Sequence, residues 1–328
     1  MHKQIATSSL TWPWLTEKQV MCYNSNINWP KISIVTPSLN QGQYLEAAIL
    51  SILNQNYPNL EYIIIDGAST DNSVDIIKKY EHKLTYWSSE KDTGQSHAIN
   101  KGLEKCHGVI FNWINSDDML AENALYNIAT AYLKKPNVKI VAGGCAHIKF
   151  SINEEYTYNK QDLTFNGLIT EKSNFQQPSQ WISLARNRIR LNEHLHYSFD
   201  WEMVLKLDAK DDEVTYIDKL TSYFREHPES KTSNHSFDFQ IEKLIIIKNY
   251  IDQNKKMRWT LFKYKLLLEA YLYTYQSQKK HQRLLPILIK KPLFVFSRFY
   301  ISHLMRELFR RMAGIKRCCW PAEPSSKR

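Results

Sequence analysis

ISIVTPSLN, residues 32–40, has the pattern of a buried β-strand that runs into a polar turn. Three of its first four side chains are β-branched and apolar, which favours a strand. Pro37 lacks a backbone N–H, so we expect the strand to stop at the Thr36-Pro37-Ser38 turn. Tyr44–Asn54 follows with apolar side chains at helical spacing. The stretch therefore predicts a strand–turn–helix unit, the building block of an α/β fold.

Three more strands are predicted downstream, and helical patterns separate them. The strands are Tyr62–Ile65, Thr85–Trp87 and Val109–Ile114, and the helices between them are Ser73–Tyr80 and Ala98–Lys105. This alternation predicts a Rossmann-like, mainly parallel sheet covered by helices on both faces. Ligands of such sheets bind beyond the carboxyl ends of the strands. Candidate functional residues should therefore lie where the strands end.

Polar and acidic side chains follow the predicted strands. Asp66 ends the second strand, Asp92 follows the third, and Asn115-Ser116-Asp117-Asp118 follows the fourth. Two interpretations are open. These residues can cap the helices that come next, because Asp, Asn and Ser are preferred at helix starts. Their recurrence along one sheet edge favours the other interpretation, a site for a polar ligand.

The order and spacing of four segments resemble those of family-2 glycosyltransferases of the bacterial type. The segments are residues 32–40, 65–71, 90–102 and 115–118. The resemblance implies a GT-A fold over residues 31–235, divided into a nucleotide-sugar half (31–120) and an acceptor half (121–235). Residues 1–30 are then an N-terminal leader, and residues 236–328 are a basic helical C-terminal extension.

The resemblance also implies an activity. Such an enzyme moves a sugar from a nucleotide-diphosphate sugar to a hydroxyl acceptor, with a divalent metal and with inversion at the anomeric carbon. Polysaccharide or glycan biosynthesis is the expected setting, and a lipid-linked glycan is one expected acceptor. A UDP-sugar is the expected donor.

Asp117 and Asp118 occupy the position of the family's metal-binding motif. Mg²⁺ or Mn²⁺ prefers oxygen ligands and takes few carboxylates together with substrate phosphates. The usual motif is Asp-x-Asp, but its first position here is Asn115. We therefore expect Asn115 to contact ribose or sugar, and Asp117 to be the best single metal ligand. The alternative is a turn that caps the next helix.

The resemblance assigns the remaining donor contacts to the other strand ends. Asp66 is expected at the base or ribose, but Gly67 stands where the family has a second Asp, so the identity of the base is less determined. The expected nucleotide and donor-sugar contacts are Thr36, Pro37, Asn40, Asp66, Asp92, Gly94, Gln95 and Asn115.

Asp200 is the expected general base, because it matches the family's acidic residue at the start of a helix. A sugar hydroxyl is a poor nucleophile, and a positioned carboxylate can accept its proton. Glu202 is a rival, but two positions along a helix it points elsewhere. A helix cap is the structural alternative. Arg225 and His227 are expected either at the diphosphate or in surface ion pairs.

Charge is distributed unevenly along the chain. The net charge is +10, but residues 241–328 hold 20 Lys and Arg against 5 Asp and Glu, a net +15, so residues 1–240 carry −5. With interleaved Phe and Leu, this predicts contact with an anionic membrane surface. The alternative is a helical hairpin that packs on the catalytic domain. We expect a cytoplasmic protein, peripheral at the cytoplasmic face of the membrane, because we see no signal peptide, no spanning segment and no disulfide pattern among five cysteines.

Two other functions are alternatives to glycosyl transfer. A nucleotidyltransferase would need a Gly-rich, basic phosphate loop after the first strand, and residues 36–40 lack both features. A nucleic-acid binder would suit the basic tail, but no recognisable binding motif is present. We expect no nucleic-acid partner.

Overall fold

A computed structural model describes residues 23–149, 154–158, 161–169, 175–231 and 236–253. The strands are β1 Ile32–Ser38, β2 Leu60–Asp66, β3 Tyr86–Ser89, β4 Ile110–Trp113, β5 Met119–Leu120, β6 Ile140–Lys149, β7 Glu154–Tyr158, β8 Gln180–Ser183 and β9 Val214–Glu226. The α-helices are α1 Gly42–Leu53, α2 Ser73–Tyr80, α3 Gln95–Leu103, α4 Ala124–Lys134, α5 Phe165–Ile169, α6 Phe199–Leu207 and α7 Ser236–Gln253.

The first four strands form a parallel half-sheet in the order β3-β2-β1-β4. In its centre Ile34 of β1 lies opposite Tyr62 of β2 and Asn112 of β4. Helices α1, α2 and α3 connect these strands, as the alternating pattern predicted. The α/β, GT-A-like fold class is confirmed.

The later strands turn this into a mixed sheet. β8 lies antiparallel between β4 and β6, and β9 runs parallel to β6. β5 pairs antiparallel with β9, and β7 pairs antiparallel with β6. Over the described ranges this makes one nine-stranded sheet, ordered β3-β2-β1-β4-β8-β6-β9-β5 with β7 on β6. The parallel arrangement thus holds up to β4, where the strict alternation of strand and helix ends.

A continuous apolar core packs helices against the sheet. Ile34, Ile49, Ile64, Leu125 and Trp181 are fully buried in one cluster. Burying each aliphatic side chain stabilises the fold by roughly 1.5–3 kcal/mol. This core holds the strand ends rigidly, which matters because the candidate residues lie on the loops that follow them.

β1 continues beyond the point predicted from Pro37. The strand runs to Ser38, and Pro37 lies opposite Ile65 of β2. β4 pairs with β1 only as far as Val35, so from Thr36 onward β1 has a neighbour on one side alone. A residue without an N–H is tolerated at such a half-open position, and the predicted stop was wrong for that reason.

The chain divides into two compact units between Lys243 and Leu244. The first unit holds every element up to β9 and the first two turns of α7, Ser236–Lys243. Most of the predicted leader, residues 1–22, and of the predicted C-terminal extension, residues 254–328, lies outside the described residues. No helix in the described part of the chain is both long enough and apolar enough to cross a membrane.

Candidate active site

A cavity of about 850 Å³ opens where the carboxyl ends of β1 and β4 face the start of α6. Its walls combine a few charged groups with aromatic rings, which suits a polar ligand that contains rings. The predicted site residues that line it are Pro37, Asp92, Gly94, Gln95, Asn115, Asp117 and Asp200. The structure thus brings predicted residues from four distant segments together at one cavity.

Thr36, Asn40 and Asp66 are not among the lining residues. The Thr36 hydroxyl lies 3.1 Å from the hydroxyl of Tyr62, and Asn40 accepts a hydrogen bond from the Thr70 N–H at 2.8 Å. Asp66 is fully buried. Its contact with a donor base or ribose stays a prediction.

The carboxylate of Asp66 organises the turn that follows β2. Asp66 Oδ2 accepts hydrogen bonds from the Ser69 N–H at 2.9 Å and the Ser89 hydroxyl at 2.7 Å, and Oδ1 accepts from the Ser69 hydroxyl at 2.5 Å. These bonds tie the ends of β2 and β3 together.

Asp92 lies against Gly67, the position at which the family has a second aspartate. A Cβ added to Gly67 would come within 2.7 Å of Asp92 Oδ2. Asp92 Oδ1 also accepts the Gly94 N–H at 2.9 Å, and Gly94 has φ 134°, which favours glycine. Asp92, which follows β3, therefore places a carboxylate beside Gly67, where the family has its second aspartate.

Gln95 and Asn115 join two strand ends on the cavity wall. Gln95 Nε2 donates to Asn115 Oδ1 at 2.7 Å, and Gln95 Oε1 accepts from Lys231 Nζ at 3.0 Å. Asn115 Nδ2 in turn donates to Asp118 Oδ2 at 3.1 Å. This chain of amide contacts runs from the cavity surface to the buried acid behind it.

The two candidate metal ligands differ in their surroundings. The side chain of Asp117 lines the cavity and is 25% exposed, whereas Asp118 is fully buried. Burial, with the neighbouring charge of Asp117, holds the pKa of Asp118 well above its ordinary value. Asp118 therefore lies behind the cavity wall, and Asp117 is the acid of this loop that faces the cavity.

Arg225 holds the backbone of the acidic loop. Its guanidinium donates to the carbonyl oxygens of Asp117, Ser116 (3.1 Å) and Tyr44 (2.9 Å), and its backbone N–H donates to Asp118 Oδ1 at 3.3 Å. The side chain is buried, so the pKa of Arg225 is lowered by desolvation. The sequence predicted Arg225 at the diphosphate or in a surface ion pair. In the structure Arg225 is buried and acts as a clamp, a side chain that holds the backbone of the acidic loop through hydrogen bonds.

A divalent metal fits Asp117 only as part of a larger ligand set. His227 Nε2 lies 3.1 Å from Asp117 Oδ2, and the buried Nδ1 of His227 has no hydrogen-bond partner. Within the described residues no group of three or more acidic, His or Cys side chains could hold an ion. Mg²⁺ and Mn²⁺ commonly complete such sparse sites with substrate phosphates. The residues present fit a metal under that condition.

Asp200 and its rival Glu202 point in different directions. Asp200 lines the cavity from the first turn of α6, with Oδ1 accepting the Trp201 N–H at 2.7 Å. Desolvation by burial raises the pKa of Asp200 to about 6. Glu202 Oε1 instead lies 3.1 Å from Lys206 Nζ and accepts from Asn192 Nδ2 at 3.2 Å. Of the two acids, Asp200 is the one at the cavity.

Comparison with known proteins identifies the family. Residues 33–197, half of the chain, match the model described as glycosyl transferase family 2. The chain belongs to glycosyl transferase family 2. This settles the choice between a glycosyltransferase and a nucleotidyltransferase in favour of the former. The matched range contains the strand ends with their acidic residues and stops three residues before Asp200.

Relatives of this glycosyltransferase resemble it over parts of their length. The putative teichuronic acid biosynthesis glycosyltransferase TuaG of Bacillus subtilis is 36% identical over 102 residues, which cover 30% of this chain and 40% of TuaG. The chain spans about two fifths of the length of TuaG and of an uncharacterized glycosyltransferase of Haemophilus influenzae that is 39% identical over 102 residues.

Solved structures share the fold of this glycosyltransferase. TarS 1-349 of S. aureus in complex with UDP-GlcNAc has a TM-score of 0.55 at 18% identity, covering 86% of this chain and 77% of that one. The mannosyltransferase PcManGT of Pyrobaculum calidifontis, in complex with GDP-Man and Mn²⁺, has a TM-score of 0.55 at 15% identity, covering 91% and 90%.

Helix α7 supplies site residues of the glycosyltransferase that sequence reasoning missed. Phe239, Gln240 and Lys243 line the cavity, and Lys243 Nζ lies 5.6 Å from the centre of the Trp201 ring. These residues follow the family-matched range, in a segment that the sequence predicted only as the start of the basic helical extension. The early turns of α7 therefore belong to the site as well as to the C-terminal segment.

Proposed function

We propose that this glycosyltransferase transfers a sugar from a nucleotide-diphosphate sugar, a UDP-sugar in the first instance, to a hydroxyl group with inversion. One observation carries the proposal. Asp117 and Asp200 line the same cavity from the end of β4 and the start of α6, while Asp118 and Glu202 make buried or lateral contacts. Asp117, proposed to hold the metal at the leaving group, and Asp200, proposed to accept the acceptor's proton, therefore line the same cavity.

The reaction we propose is a single displacement. The acceptor oxygen attacks the anomeric carbon as the bond to the diphosphate oxygen breaks, and Asp200 accepts the hydroxyl proton. Attack opposite the leaving group inverts the anomeric centre. A pKa of about 6 leaves Asp200 ionised at neutral pH but still basic enough to accept a proton. A bound Mg²⁺ or Mn²⁺, held by Asp117, would supply positive charge for the leaving diphosphate.

Asp92 is our candidate for the nucleotide or donor-sugar contact. It lines the cavity, and its carboxylate occupies the space that a side chain at Gly67 would need. Asp66, buried at the end of the neighbouring strand, bonds to Ser69 and Ser89 and does not line the cavity. The ligands named for the similar structures, UDP-GlcNAc for TarS and GDP-Man for PcManGT, support a nucleotide-sugar donor and leave both bases to be tested.

A donor screen tests the proposal. Release of nucleoside diphosphate is measured across UDP-, GDP- and TDP-sugars with Mg²⁺ or Mn²⁺, together with the thermal shift caused by each diphosphate. We expect release from a UDP-sugar, and a UDP-induced shift that Asp92→Asn reduces. Asp75→Asn, on helix α2, is the matched control. Stabilisation by GDP or TDP alone would overturn the choice of base, and no release from any donor would overturn the function.

We further propose that the enzyme acts in glycan or polysaccharide synthesis at the cytoplasmic face of a membrane, with lipid-linked acceptors as one class. The +15 charge of residues 241–328 supports this, because each Lys or Arg near an anionic surface contributes about 1 kcal/mol. Full-length protein should sediment with anionic vesicles at low salt and be released at high salt. Equal sedimentation with neutral vesicles would contradict the proposal.

A further inference from the structure

The carboxylate of Glu242 accepts three consecutive backbone N–H groups. Oε1 accepts from His196 at 2.7 Å, and Oε2 accepts from Tyr197 at 2.8 Å and Ser198 at 2.7 Å. The residue is 9% exposed. A carboxylate with several N–H donors makes short, charge-assisted bonds, so this contact holds the backbone of the loop firmly.

The loop held in this way leads directly into the helix that carries Asp200. Ser198 is the residue before α6, and its hydroxyl donates to the carbonyl oxygen of Phe239 at 3.0 Å. The rings of Tyr197 and Phe239 also pack with centroids 5.3 Å apart. One turn of α7 therefore fixes both the backbone and a side chain just ahead of Asp200.

Charged and polar groups surround Asp200 from three parts of the chain. Glu242 and Lys243 lie on α7, Lys231 follows β9, and the Trp201 N–H belongs to α6 itself. Lys243 and Lys231 also line the cavity. The surroundings of Asp200 are thus set largely by residues that lie beyond the family-matched range 33–197.

We propose that Glu242 is a positioning residue for Asp200, and that it holds the His196–Ser198 loop so that the carboxylate of Asp200 faces the acceptor. The proposal rests on the proposed function of Asp200 as general base. Small displacements of a catalytic group are costly, because a misplacement of about 1 Å can lower turnover on the order of 10²-fold. A side chain outside the matched range would then be required for the chemistry.

Glu242→Gln tests the proposal in the full-length protein. The amide can accept through one oxygen only, so at least one loop N–H loses its acceptor. We expect turnover to fall about 10-fold or more with little change in the thermal shift caused by UDP. The acid limb of the pH–turnover profile should also move, because a negative charge beside Asp200 is gone. Asp238→Asn makes the same charge change on the same helix and should leave turnover near the wild-type value.

Amide hydrogen exchange provides a readout that does not depend on finding a donor. In Glu242→Gln the amides of residues 196–200 should exchange faster, while β1 and β2 stay protected. Unchanged exchange, or wild-type turnover with an unmoved pH profile, would overturn the proposal. An equal loss of UDP binding and turnover would also overturn it, because that result indicates a general structural role.

Glu242→Asp covers the case in which Glu242→Gln does not fold. It keeps the charge but shortens the side chain by one methylene, so we expect partial loss of turnover and a nearly unmoved acid limb. Wild-type turnover in this variant together with unchanged exchange would overturn the proposal. Failure of the proposed function would appear differently, as a wild-type protein that releases no diphosphate from any donor.

Discussion

Two loops at the cavity hold the proposed functional acids Asp117 and Asp200 in place, and the side chains that bind these loops carry opposite charges. The acidic loop, Asn115–Asp118, is clamped by the guanidinium of Arg225, which donates to backbone carbonyl oxygens. The base loop, His196–Ser198, is clamped by the carboxylate of Glu242, which accepts from backbone N–H groups. Both clamps are buried and both come from later parts of the chain.

The difference follows from where each loop lies in the fold. The acidic loop leaves the carboxyl end of a strand and turns carbonyl oxygens toward the interior, so a cation satisfies it. The base loop precedes the first turn of α6 and directs three consecutive N–H groups at α7, so an anion satisfies it. Each loop can then present its acid to the cavity without leaving buried backbone groups unpaired.

The largest effect is expected at the acidic loop. Asp117→Asn should reduce turnover to background, because a neutral amide is a poor ligand for Mg²⁺ or Mn²⁺. Asp118→Asn is the matched comparison, and we expect it to keep measurable turnover because Asp118 is buried behind the wall. Diphosphate release and melting temperature are measured for both. Full turnover of Asp117→Asn, or of the wild type in excess EDTA, would contradict the assignment.

A somewhat smaller effect is expected at the base loop. Asp200→Asn keeps the shape of the side chain but cannot accept the proton, so turnover should fall by about 10² or more while UDP still stabilises the protein. Glu202→Gln is the matched control, since Glu202 contacts Lys206 and Asn192 and does not line the cavity. If Glu202→Gln is inactive and Asp200→Asn is active, the general base is Glu202 and not Asp200.

The acids of both loops were predictable from the sequence, but their clamps were not. Asp117 and Asp200 follow short patterns that mark a strand end and a helix start. Arg225 contacts a loop 108 positions away, and Glu242 contacts one 44 to 46 positions away. Such pairings depend on the mixed half of the sheet and on α7, which the alternating strand–helix pattern does not describe. Asp118 shows the same limit, because the sequence does not indicate which of two adjacent acids is buried.

Arg225 offers a way to break one clamp while leaving the other intact. Arg225→Met should destabilise the protein by several kcal/mol, because each buried carbonyl that loses its donor costs about 1–3 kcal/mol. Arg225→Lys keeps the charge but cannot reach three carbonyls, so we expect turnover about 10-fold below wild type.

Exposed Arg190 supplies the control for Arg225. It pairs with Glu104 and Glu193 at the surface, with 63% of its side chain exposed, so Arg190→Met should change stability by less than about 1 kcal/mol. Melting curves and diphosphate release are compared for the three variants. Equal effects of Arg225→Met and Arg190→Met would show that the acidic loop needs no clamp.

The smallest effect concerns the pH dependence of the base loop. The pKa of Asp200 is raised from 3.8 to about 6 by desolvation, so turnover should fall as pH drops through about 6, with Asp200→Asn lacking this acid limb. The raised pKa of Asp200 also makes the free energy of unfolding depend on pH. Between the two pKa values the folded state binds the proton more tightly than the unfolded state, so the stability contributed by protonated Asp200 is present below about pH 4 and is lost as pH rises through 6.

Ionised Asp200 therefore destabilises the folded protein at pH 8, by at most about 3 kcal/mol for a shift of this size. Asp200→Asn removes the buried charge, so its melting temperature should exceed that of the wild type by a few degrees at pH 8. The difference should shrink as pH falls toward 4, because Asp200 is then protonated in the folded state and about half protonated in the unfolded state. Thermal melts of the two proteins at pH 4, 6 and 8 measure this. A variant that melts lower than the wild type at pH 8 would show that ionised Asp200 is stabilised in its loop, and the proposed base would then have an ordinary pKa.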